Sequence, residues 1–552
     1  MIDLTTVARP ARHHADLAPR HARHRHPGRW WALGIVAFAA LTALFTAASL
    51  HAVAGNSDGA TVVLEGQAMS GGNALLHHWT LSLDSFWSVD ALFYTVAVAV
   101  VGVHPILLYV VPAVIAALVV LAACALARAG NRGRPATVAV LTVVALLGLP
   151  SYVLAVYFLQ GPLHVGTTLW CLLAFLGLAR NRFGWGWALA VVLLAAGVLG
   201  DFQTAVLGMA PALGAGLVAM VRERRWRAGA PAVAAPVAAA VLALAVRGLT
   251  LLLGTYSVGR ANPTAGVGRM VHNLRLEVTW GAHLLGVGGG SFGDEGVPTA
   301  LGLVHLVGVA AVVAGVVAAV VSLVRGMLAG PAAAAEAGAA PGRGGVRVED
   351  LLVIAVAVDL VLFVFLTYSD DENFSRYLTA GVVFGSILAG RGAARLVRRL
   401  GPGAPRRLLA VAGVVVVAAF AAEVGIQVTG PQPGRPYQAL GTFLQARHLD
   451  RGVGDYWSAS IVSVQTSDTV TVRPVIADGA GRLHRYARQS ADPWYGRRFQ
   501  FLVYDTAQPW GGVDAISARA SFGPPLHTYV VGTYRVLVWR HTLSVPARPS
   551  LT

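Results

Sequence analysis

Long apolar runs separated by short polar loops occupy the first 430 residues of the chain. A helix that crosses a bilayer needs roughly 18 to 20 apolar residues, and these runs approach or exceed that length. We therefore predict eleven spanning helices, with boundaries near residues 30–53, 104–128, 136–158, 164–180, 184–200, 204–221, 229–254, 298–324, 351–367, 377–390 and 407–428. The pattern predicts an α-helical polytopic membrane protein.

One further apolar run, at residues 91–103, is too short to cross a membrane. Its 13 residues would form a helix of about 20 Å, whereas the hydrocarbon core of a bilayer is about 30 Å thick. We predict that this run forms an interfacial helix, which ends at His104 and Pro105.

The pattern changes after residue 430, and the rest of the chain contains no spanning run. Residues 437–448 have the spacing of one amphipathic helix. β-Branched and aromatic residues, which are typical of strands, are concentrated at 461–464, 469–475, 499–504 and 529–539. We predict a small, separate α/β domain over residues 431–552.

The composition excludes several mechanisms. Only 12% of the 552 residues are charged, against about 25% in an ordinary soluble domain. There is no lysine, so a Walker-type phosphate loop and a Schiff-base enzyme are both excluded. The two cysteines, Cys124 and Cys171, lie inside apolar runs and do not form a CxxC motif. A reaction here would need a preactivated substrate or a gradient.

The arginines predict the topology. If residues 1–29 form a basic cytoplasmic tail, the inner loops contain 24 arginines and the outer loops at most five. This asymmetry is the positive-inside signal of membrane proteins. It explains most of the net charge of +16, so the charge does not indicate a nucleic-acid-binding protein. The outer loops are then 54–103 and 255–297, residues 325–350 form a cytoplasmic linker, and the C-terminal domain is extracytoplasmic. The Ala/Gly/Arg-rich, lysine-free composition indicates a bacterial plasma membrane.

The first outer loop contains the strongest candidate for chemistry. Asp58 lies where the first span leaves the membrane, a depth at which an ionisable residue is often functional. Glu65, Asp84 and Asp90 lie in the same loop and can converge with it. The alternative is that Asp58 caps a helix that begins at Gly59, a common use of aspartate. The sequence leaves both interpretations open.

The order of these segments resembles a known family. A basic N-terminus, one span, Asp58 just outside it, an outer loop with a Gly-Asn pair and tryptophans, and an interfacial helix before the second span are similar to the GT-C superfamily. These integral membrane glycosyltransferases use polyprenyl-phosphate sugars, and they include protein O-mannosyltransferases, aminoarabinose transferases and arabinosyltransferases. The resemblance implies a hexosyl- or pentosyltransferase with an acidic active-site residue at Asp58 and a glycan, lipid or protein acceptor.

Such an enzyme needs a base for the acceptor hydroxyl and groups that hold the departing phosphate. Asp58 is the candidate base. Arg376, within an Arg-Tyr-Leu sequence that resembles the family's, is the candidate for the lipid phosphate, with a snorkelling interfacial arginine as the alternative. Arg275, in the long outer loop, is a further phosphate candidate. Glu65 and Asp84 are candidates for substrate binding.

Two more candidates lie at the outer ends of predicted spans. His164 can contact phosphate or acceptor, or it can be a satisfied interfacial histidine. Asp201 can assist Asp58 or help bind a divalent cation, or it can be a helix cap or turn residue. No cofactor is certain from the sequence, and a divalent cation is one possibility.

Two other classes of function stay open. Asp359 and Glu423 lie within spans, where acids often mark ion pathways, so a transporter or flippase of lipid-linked sugars is the alternative. A non-catalytic anchor that presents residues 431–552 is the other. In that domain Asp455, Tyr456 and Trp457 form a candidate carbohydrate-contact patch, because aromatic faces stack on sugars.

Overall fold

The computed structural model describes residues 27–180, 182–259, 265–288, 299–336, 345–367, 370–400 and 403–547. Most of the predicted cytoplasmic tail, parts of the long outer loop and the centre of the predicted linker lie outside these ranges. The predicted fold class, a polytopic helical part followed by a small α/β domain, is confirmed.

The described helices before residue 430 follow the apolar runs. They are α1 (Pro27–Ala52), α2 (Ser57–Ser70), α3 (Asp90–Val101), α4 (Leu107–Arg128), α5 (Gly133–Val143), α6 (Tyr152–Leu159), α7 (Val165–Leu178), α8 (Trp185–Gly200), α9 (Ala210–Glu223), α10 (Ala230–Leu252), α11 (Val267–Leu284), α12 (Thr299–Glu336), α13 (Val348–Val364), α14 (Thr379–Arg399) and α15 (Ala404–Thr429). A π-helical turn, Ala205–Met209, precedes α9, and a 3₁₀ helix, Glu372–Leu378, precedes α14.

Within the described residues, seven helices are long and apolar enough to cross a membrane. An eighth span is broken: Gly133–Gly148 and Tyr152–Leu159 meet at 81°. Pro150 lies at the break, where it cannot continue the helix, and Ser151 caps the second half by accepting from the Leu154 amide. The other three predicted spans correspond to α7, α8 and α13, which have 14, 16 and 17 residues.

The two predicted outer loops contain helices of their own. The predicted interfacial helix is α3, and its 12 residues are too few to span. The second, α11, is an amphipathic helix inside the segment predicted as the long outer loop. On the other side, α12 continues to Glu336 and so extends into the segment predicted as a linker.

Helices α2 and α3 pack closely because Gly66 has no side chain. A Cβ atom at residue 66 would lie 2.8 Å from the backbone carbonyl carbon of Tyr94. Backbone cannot yield cheaply, so we expect Gly66→Ala to destabilise the protein by about 1–3 kcal/mol. Gly248→Ala in α10 is the control, since nothing lies within 4 Å of its new methyl group. Thermal unfolding of both variants in one detergent measures the difference, and equal melting temperatures would contradict it.

A small sheet joins three distant parts of the chain. Strand β1 (Trp79–Leu81) from the first outer loop pairs in parallel with β2 (Ser257–Val258) from the long outer loop. It pairs antiparallel with β6 (Ser490–Ala491) from the C-terminal domain. One three-stranded sheet therefore joins the two segments predicted as outer loops to the C-terminal domain.

The C-terminal domain is a mixed sheet with helices. Its helices are α16 (Pro436–Ala446), α17 (Tyr456–Gln465) and α18 (Ala515–Phe522). The sheet has the order β5-β4-β3-β7-β9-β8, with β3 parallel to both of its neighbours. These strands are β3 (Arg451–Gly454), β4 (Thr471–Ala477), β5 (Leu483–Arg485), β7 (Phe499–Asp505), β8 (His527–Val531) and β9 (Tyr534–Leu543).

Two local predictions in this domain are wrong. Residues 461–464, predicted as a strand, lie in α17, where Asp455 caps the helix by accepting from the Ser458 amide. The β-branched side chains there are buried in the core rather than paired in a sheet. The single strand predicted at 529–539 is a hairpin, which turns at Gly532 with a φ of +58°.

The domain is docked on the first outer loop through α2 and α17. The Ser57 hydroxyl donates to the carbonyl of Trp457 at 3.0 Å, and the Thr61 hydroxyl donates to the Ser460 hydroxyl at 2.9 Å. One buried apolar cluster continues from the membrane helices into α16 and α17. A second cluster, which includes Phe499 and Trp539, lies within the domain.

Candidate functional site

Three chemically reactive side chains meet at one end of the helical part. They are Asp84, in the loop before α3, His164, directly before α7, and Asp201, directly after α8. One ligand atom from each residue lies within 4.8 Å of the others. His164 and Asp201 are buried, and Asp84 is half-buried. We call this group the acidic triad.

Asp201 is the centre of the acidic triad. Its Oδ2 lies 2.7 Å from His164 Nδ1 and also accepts a short hydrogen bond from the Thr167 hydroxyl. Its Oδ1 accepts from the Gln203 amide at 2.9 Å. Because Nδ1 of His164 is engaged, its Nε2 is the nitrogen left to bind a cation or substrate. The predicted alternative, in which Asp201 is a turn residue, explains the bond from the Gln203 amide but not the contacts with His164 and Thr167.

The backbone holds the imidazole in place. His164 has a left-handed φ of +65°, directly before α7 begins. The centroid of its ring lies 5.1 Å from that of Tyr377 and 5.4 Å from that of Phe86. A histidine fixed by an ion pair and two rings is suited to bind a ligand in one orientation.

The charges of the acidic triad are coupled. Burial, and next the negative charge of Asp201, raise the pKa of Asp84 to about 6. Burial opposes ionisation of Asp201, but the charge of His164 and three hydrogen bonds hold the pKa of Asp201 below its ordinary value. Burial also opposes a charge on His164, but Asp201 raises the pKa of that imidazole. One imidazole thus faces two carboxylates.

A third acid, Asp90, lies beside the acidic triad. Its carboxylate is buried, and neither oxygen has a hydrogen-bond partner among the described residues. A Cβ atom at residue 166 would lie 2.5 Å from Asp90 Oδ2, so the carboxylate fits there only because residue 166 is glycine. Burial, and next the charge of Asp201, raise the pKa of Asp90 to about 7.

This donor set fits a divalent cation. Two carboxylates and one imidazole are ligands that suit zinc or manganese, and one ligand atom of each lies within 4.8 Å of the others. Asp90 lies nearby with no hydrogen-bond partner among the described residues, and a cation bound beside it would favour its ionised form. From the sequence, Asp84, His164 and Asp201 were separate candidates, and nothing in it predicted that these three side chains lie close together.

Arg376 lies next to the acidic triad. It is in the 3₁₀ helix before α14, with its guanidinium 5.2 Å from the ring centroid of Phe374 and 5.3 Å from that of Tyr377. Tyr377 is the residue whose ring packs on His164. The charge of Arg376 reaches Asp84 and is one of the influences that lower its pKa. The structure therefore brings together four of the predicted site residues.

Asp58 lies at the junction of α2 with the C-terminal domain. Asn56, not Asp58, caps α2: its side chain accepts from the Gly59 amide at 2.9 Å, so the predicted cap is wrong. The Asp58 carboxylate instead accepts a short hydrogen bond from the Tyr456 hydroxyl. Asp58 is not part of the acidic triad, but Gly59 packs against Gly161, in the loop that carries His164.

Two other predicted residues lie apart from this group. Glu65 is buried on α2, where burial raises its pKa well above the ordinary value. Arg275 is exposed on α11. Helix α11 itself is tied to the segment around Arg376, through an ion pair of Arg269 with Asp370 at 2.5 Å.

An aromatic cluster surrounds Asp58 on the side of the C-terminal domain. The ring centroid of Tyr456 lies 5.0 Å from that of Trp457, 5.3 Å from that of Tyr486 and 5.6 Å from that of Trp510. Trp457 is 37% exposed. The sequence indicated Tyr456 and Trp457 but missed Tyr486 and Trp510, because these come from separate loops.

No family model matches the chain, and no curated protein matches it. Two similar solved structures are of the Archaeoglobus fulgidus oligosaccharyltransferase. The first, in complex with Zn and sulfate, is 14% identical with a TM-score of 0.43 and covers 82% of this chain, which spans only 64% of that chain. The second, tethered through a disulfide bond to an acceptor peptide with the NVT sequon, is 12% identical with a TM-score of 0.44, over 94% of this chain and 75% of that chain. Likenesses this low do not assign the chain to a family, so its function is to be derived from the site.

Proposed function

We propose that this protein is a membrane glycosyltransferase of the GT-C type, which transfers a sugar from a polyprenyl phosphate to an acceptor outside a bacterial plasma membrane. The observation that carries the proposal is the convergence of Asp84, His164 and Asp201 beside Arg376. Such a site can hold a phosphate through a cation and a guanidinium while a carboxylate takes a proton. A preactivated donor of this kind needs no lysine, and the chain contains none.

The arginine distribution supports the side of the membrane. The acidic triad lies at the ends of α7 and α8 that the positive-inside rule places outside. With this topology the C-terminal domain is outside as well, where it can present an acceptor to Asp58. Both assignments belong to the proposal.

The residues divide the chemistry between them. Asp84, His164 and Asp201 would hold a divalent cation, which when bound would offset the charge of the donor phosphate. Arg376 holds the departing phosphate through paired N–H donors. Asp58 accepts the proton of the acceptor hydroxyl as that oxygen attacks the anomeric carbon. The Tyr456 hydroxyl, which donates to Asp58, orients the carboxylate.

The aromatic cluster at Asp58 favours a carbohydrate-containing acceptor. The rings of Tyr456, Trp457, Tyr486 and Trp510 pack at interplanar angles between 45° and 86°, and aromatic faces stack on the apolar faces of sugars. Their position beside the candidate base would hold a glycan with its hydroxyl near Asp58.

The transporter alternative is weakened by the partners of the two buried acids. Asp359 accepts from the Gly381 amide at 2.8 Å, next to the start of α14. Glu423 forms an ion pair with His305, which joins α15 to α12. Each acid therefore connects two helices, which gives it a structural role.

The transfer reaction can be measured directly. Purified protein in lipid vesicles is incubated with polyprenyl-phosphate hexoses and pentoses and with glycan, lipid and peptide acceptors, and products are detected by mass spectrometry. We expect one donor class to be consumed with release of polyprenyl phosphate. Movement of the intact lipid-linked sugar across the bilayer, without transfer, would establish the transporter instead.

Arg376 and Arg275 can be separated by their effects on donor affinity. We expect Arg376→Ala to raise the KM for the donor by about tenfold or more, since a charge-assisted hydrogen bond to phosphate is lost. Arg376→Lys should restore only part of the affinity, because lysine lacks the paired donors. Arg275→Ala should change KM by about twofold at most, as expected for an exposed side chain. Equal effects of the two alanine variants would contradict this assignment.

A further inference from the structure

A strongly basic cavity lies at the opposite ends of the helices that carry the candidate site. Its volume is about 540 Å³, and it lies between α9, α12, α14 and the segment before α13. Five arginines line it, against one acid, Glu223: they are Arg222, Arg325, Arg347, Arg395 and Arg399. None of these arginines has a role in the proposed transfer reaction.

The cavity and the acidic triad are separated by the length of a membrane span. The helical segment from Ala205 to Glu223 starts beside Asp201 and ends at the cavity. Its 19 residues correspond to about 28 Å, close to the thickness of the hydrocarbon core. Helix α14 likewise starts after Arg376 and ends at Arg399. The positive-inside rule places the cavity at the cytoplasmic face.

Two of the five arginines have carboxylate partners. Arg222 donates to Asp350 at 2.7 Å, and Arg395 pairs with Glu349, which also binds Arg391. No described carboxylate lies within ion-pair distance of Arg325 or Arg399.

Arg347 adds a further positive charge to the wall of the cavity. A Cβ atom at residue 326 would lie 3.6 Å from its Nη1 and 3.2 Å from Cδ of Arg222, so the two side chains approach the same point. Within the described chain, Arg347 has no ion pair of its own either. The cavity therefore carries a positive surplus that an anion can neutralise.

Apart from the five arginines, Glu223 and Ser322, the residues that line the cavity are apolar. Ala318, Val321 and Leu396 line it, and α12 continues outward with Val317 and Val324, which are 54% and 45% exposed. In a membrane these valines face acyl chains. A soluble phosphate would gain nothing from this wall, whereas a lipid would place its headgroup among the arginines and its chains along α12.

We propose that this cavity binds the phosphate headgroup of an anionic lipid from the cytoplasmic leaflet. Arginine suits this ligand because its fork of N–H groups matches two phosphate oxygens. A lipid bound here would join α12 to α9 and α14 at the end of the bundle away from the acidic triad.

The test measures lipid binding and does not depend on the transfer reaction. Delipidated protein in a neutral detergent is titrated with phosphatidylglycerol, with phosphatidylcholine and with inorganic phosphate, and retained lipid is counted by native mass spectrometry. The double variant R325A/R399A removes two cavity arginines. The control R132A/R134A removes two exposed arginines from another loop on the same predicted side.

We expect phosphatidylglycerol to bind wild type and control equally, and R325A/R399A about twenty-five-fold more weakly, at roughly fivefold for each arginine near an anionic headgroup. Phosphatidylcholine should not compete. The variant R325Q/R399Q, which keeps the size of the side chains, gives the same answer if the alanine variant fails to fold. Equal binding by the cavity variants and wild type, an equal loss in the control, or displacement of the lipid by inorganic phosphate at matched concentration would each overturn the proposal.

Discussion

Replacing Asp201 with asparagine is expected to lower glycosyl transfer by about a thousandfold, because a bound divalent cation contributes several kcal/mol to transition-state stabilisation. Asparagine keeps the size of the side chain, and its one carbonyl oxygen can still accept from the Gln203 amide, whereas the bond that Thr167 donates to the other oxygen is lost. It cannot keep the charge that pairs with His164 at 2.7 Å. The variant thus removes the electrostatic contribution of the site while preserving its packing.

Cation binding gives a second measurement on the same variant. Titration of wild type with Mn²⁺, Zn²⁺ and Mg²⁺ should reveal one site, and we expect that site to be lost in Asp201→Asn and in Asp84→Asn. Asp450→Asn is the matched control, since that carboxylate is exposed on the C-terminal domain. Chelation of the wild type should lower activity, and added cation should restore it. An Asp201→Asn protein that still binds the cation and transfers at the wild-type rate would exclude the proposed site.

The sequence predicted the seven helices that, within the described ranges, are long and apolar enough to cross a membrane, because each of them follows from one local run of residues. A helix in lipid must satisfy its own backbone hydrogen bonds, so a long apolar run has few alternatives. The span predicted at 136–158 is broken in the structure, since Pro150 lies between two helices that meet at 81°. Helix α7 shows where an apolar run is not enough. It is apolar, but its 14 residues are too few to cross the membrane unaided.

The site was harder to predict because its residues meet through tertiary packing. Asp84, His164 and Asp201 come from three loops, and only the packing of α7 against α8 brings the last two together. The sequence paired Asp201 with Asp58, because both follow predicted spans. In the structure Asp58 is held by Tyr456, almost 400 residues away in the chain, a contact that no local pattern encodes. The basic cavity could not be predicted for a related reason. The number of arginines in each loop indicates the topology, but it does not show that five of these side chains line one cavity.

Replacing Asp58 with asparagine is expected to lower the rate of transfer by about a hundredfold or more, because a general base is lost. Asparagine can still accept the hydrogen bond from Tyr456, so the junction between α2 and α17 should remain intact. The melting temperature and the cation affinity of this variant should therefore match those of the wild type. This combination distinguishes a base from a residue that only holds the domain in place.

Tyr456→Phe completes the comparison. It removes the hydroxyl that orients Asp58 and leaves the ring to pack against Trp457 and Trp510. We expect a loss in rate of about tenfold, smaller than that of Asp58→Asn, since the hydrogen bond that orients the base is lost. If Asp58→Asn transfers as fast as the wild type while Asp201→Asn does not, the cation site stands and the base must be another acid. Asp90, buried beside the acidic triad without a partner among the described residues, would then be the next carboxylate to replace.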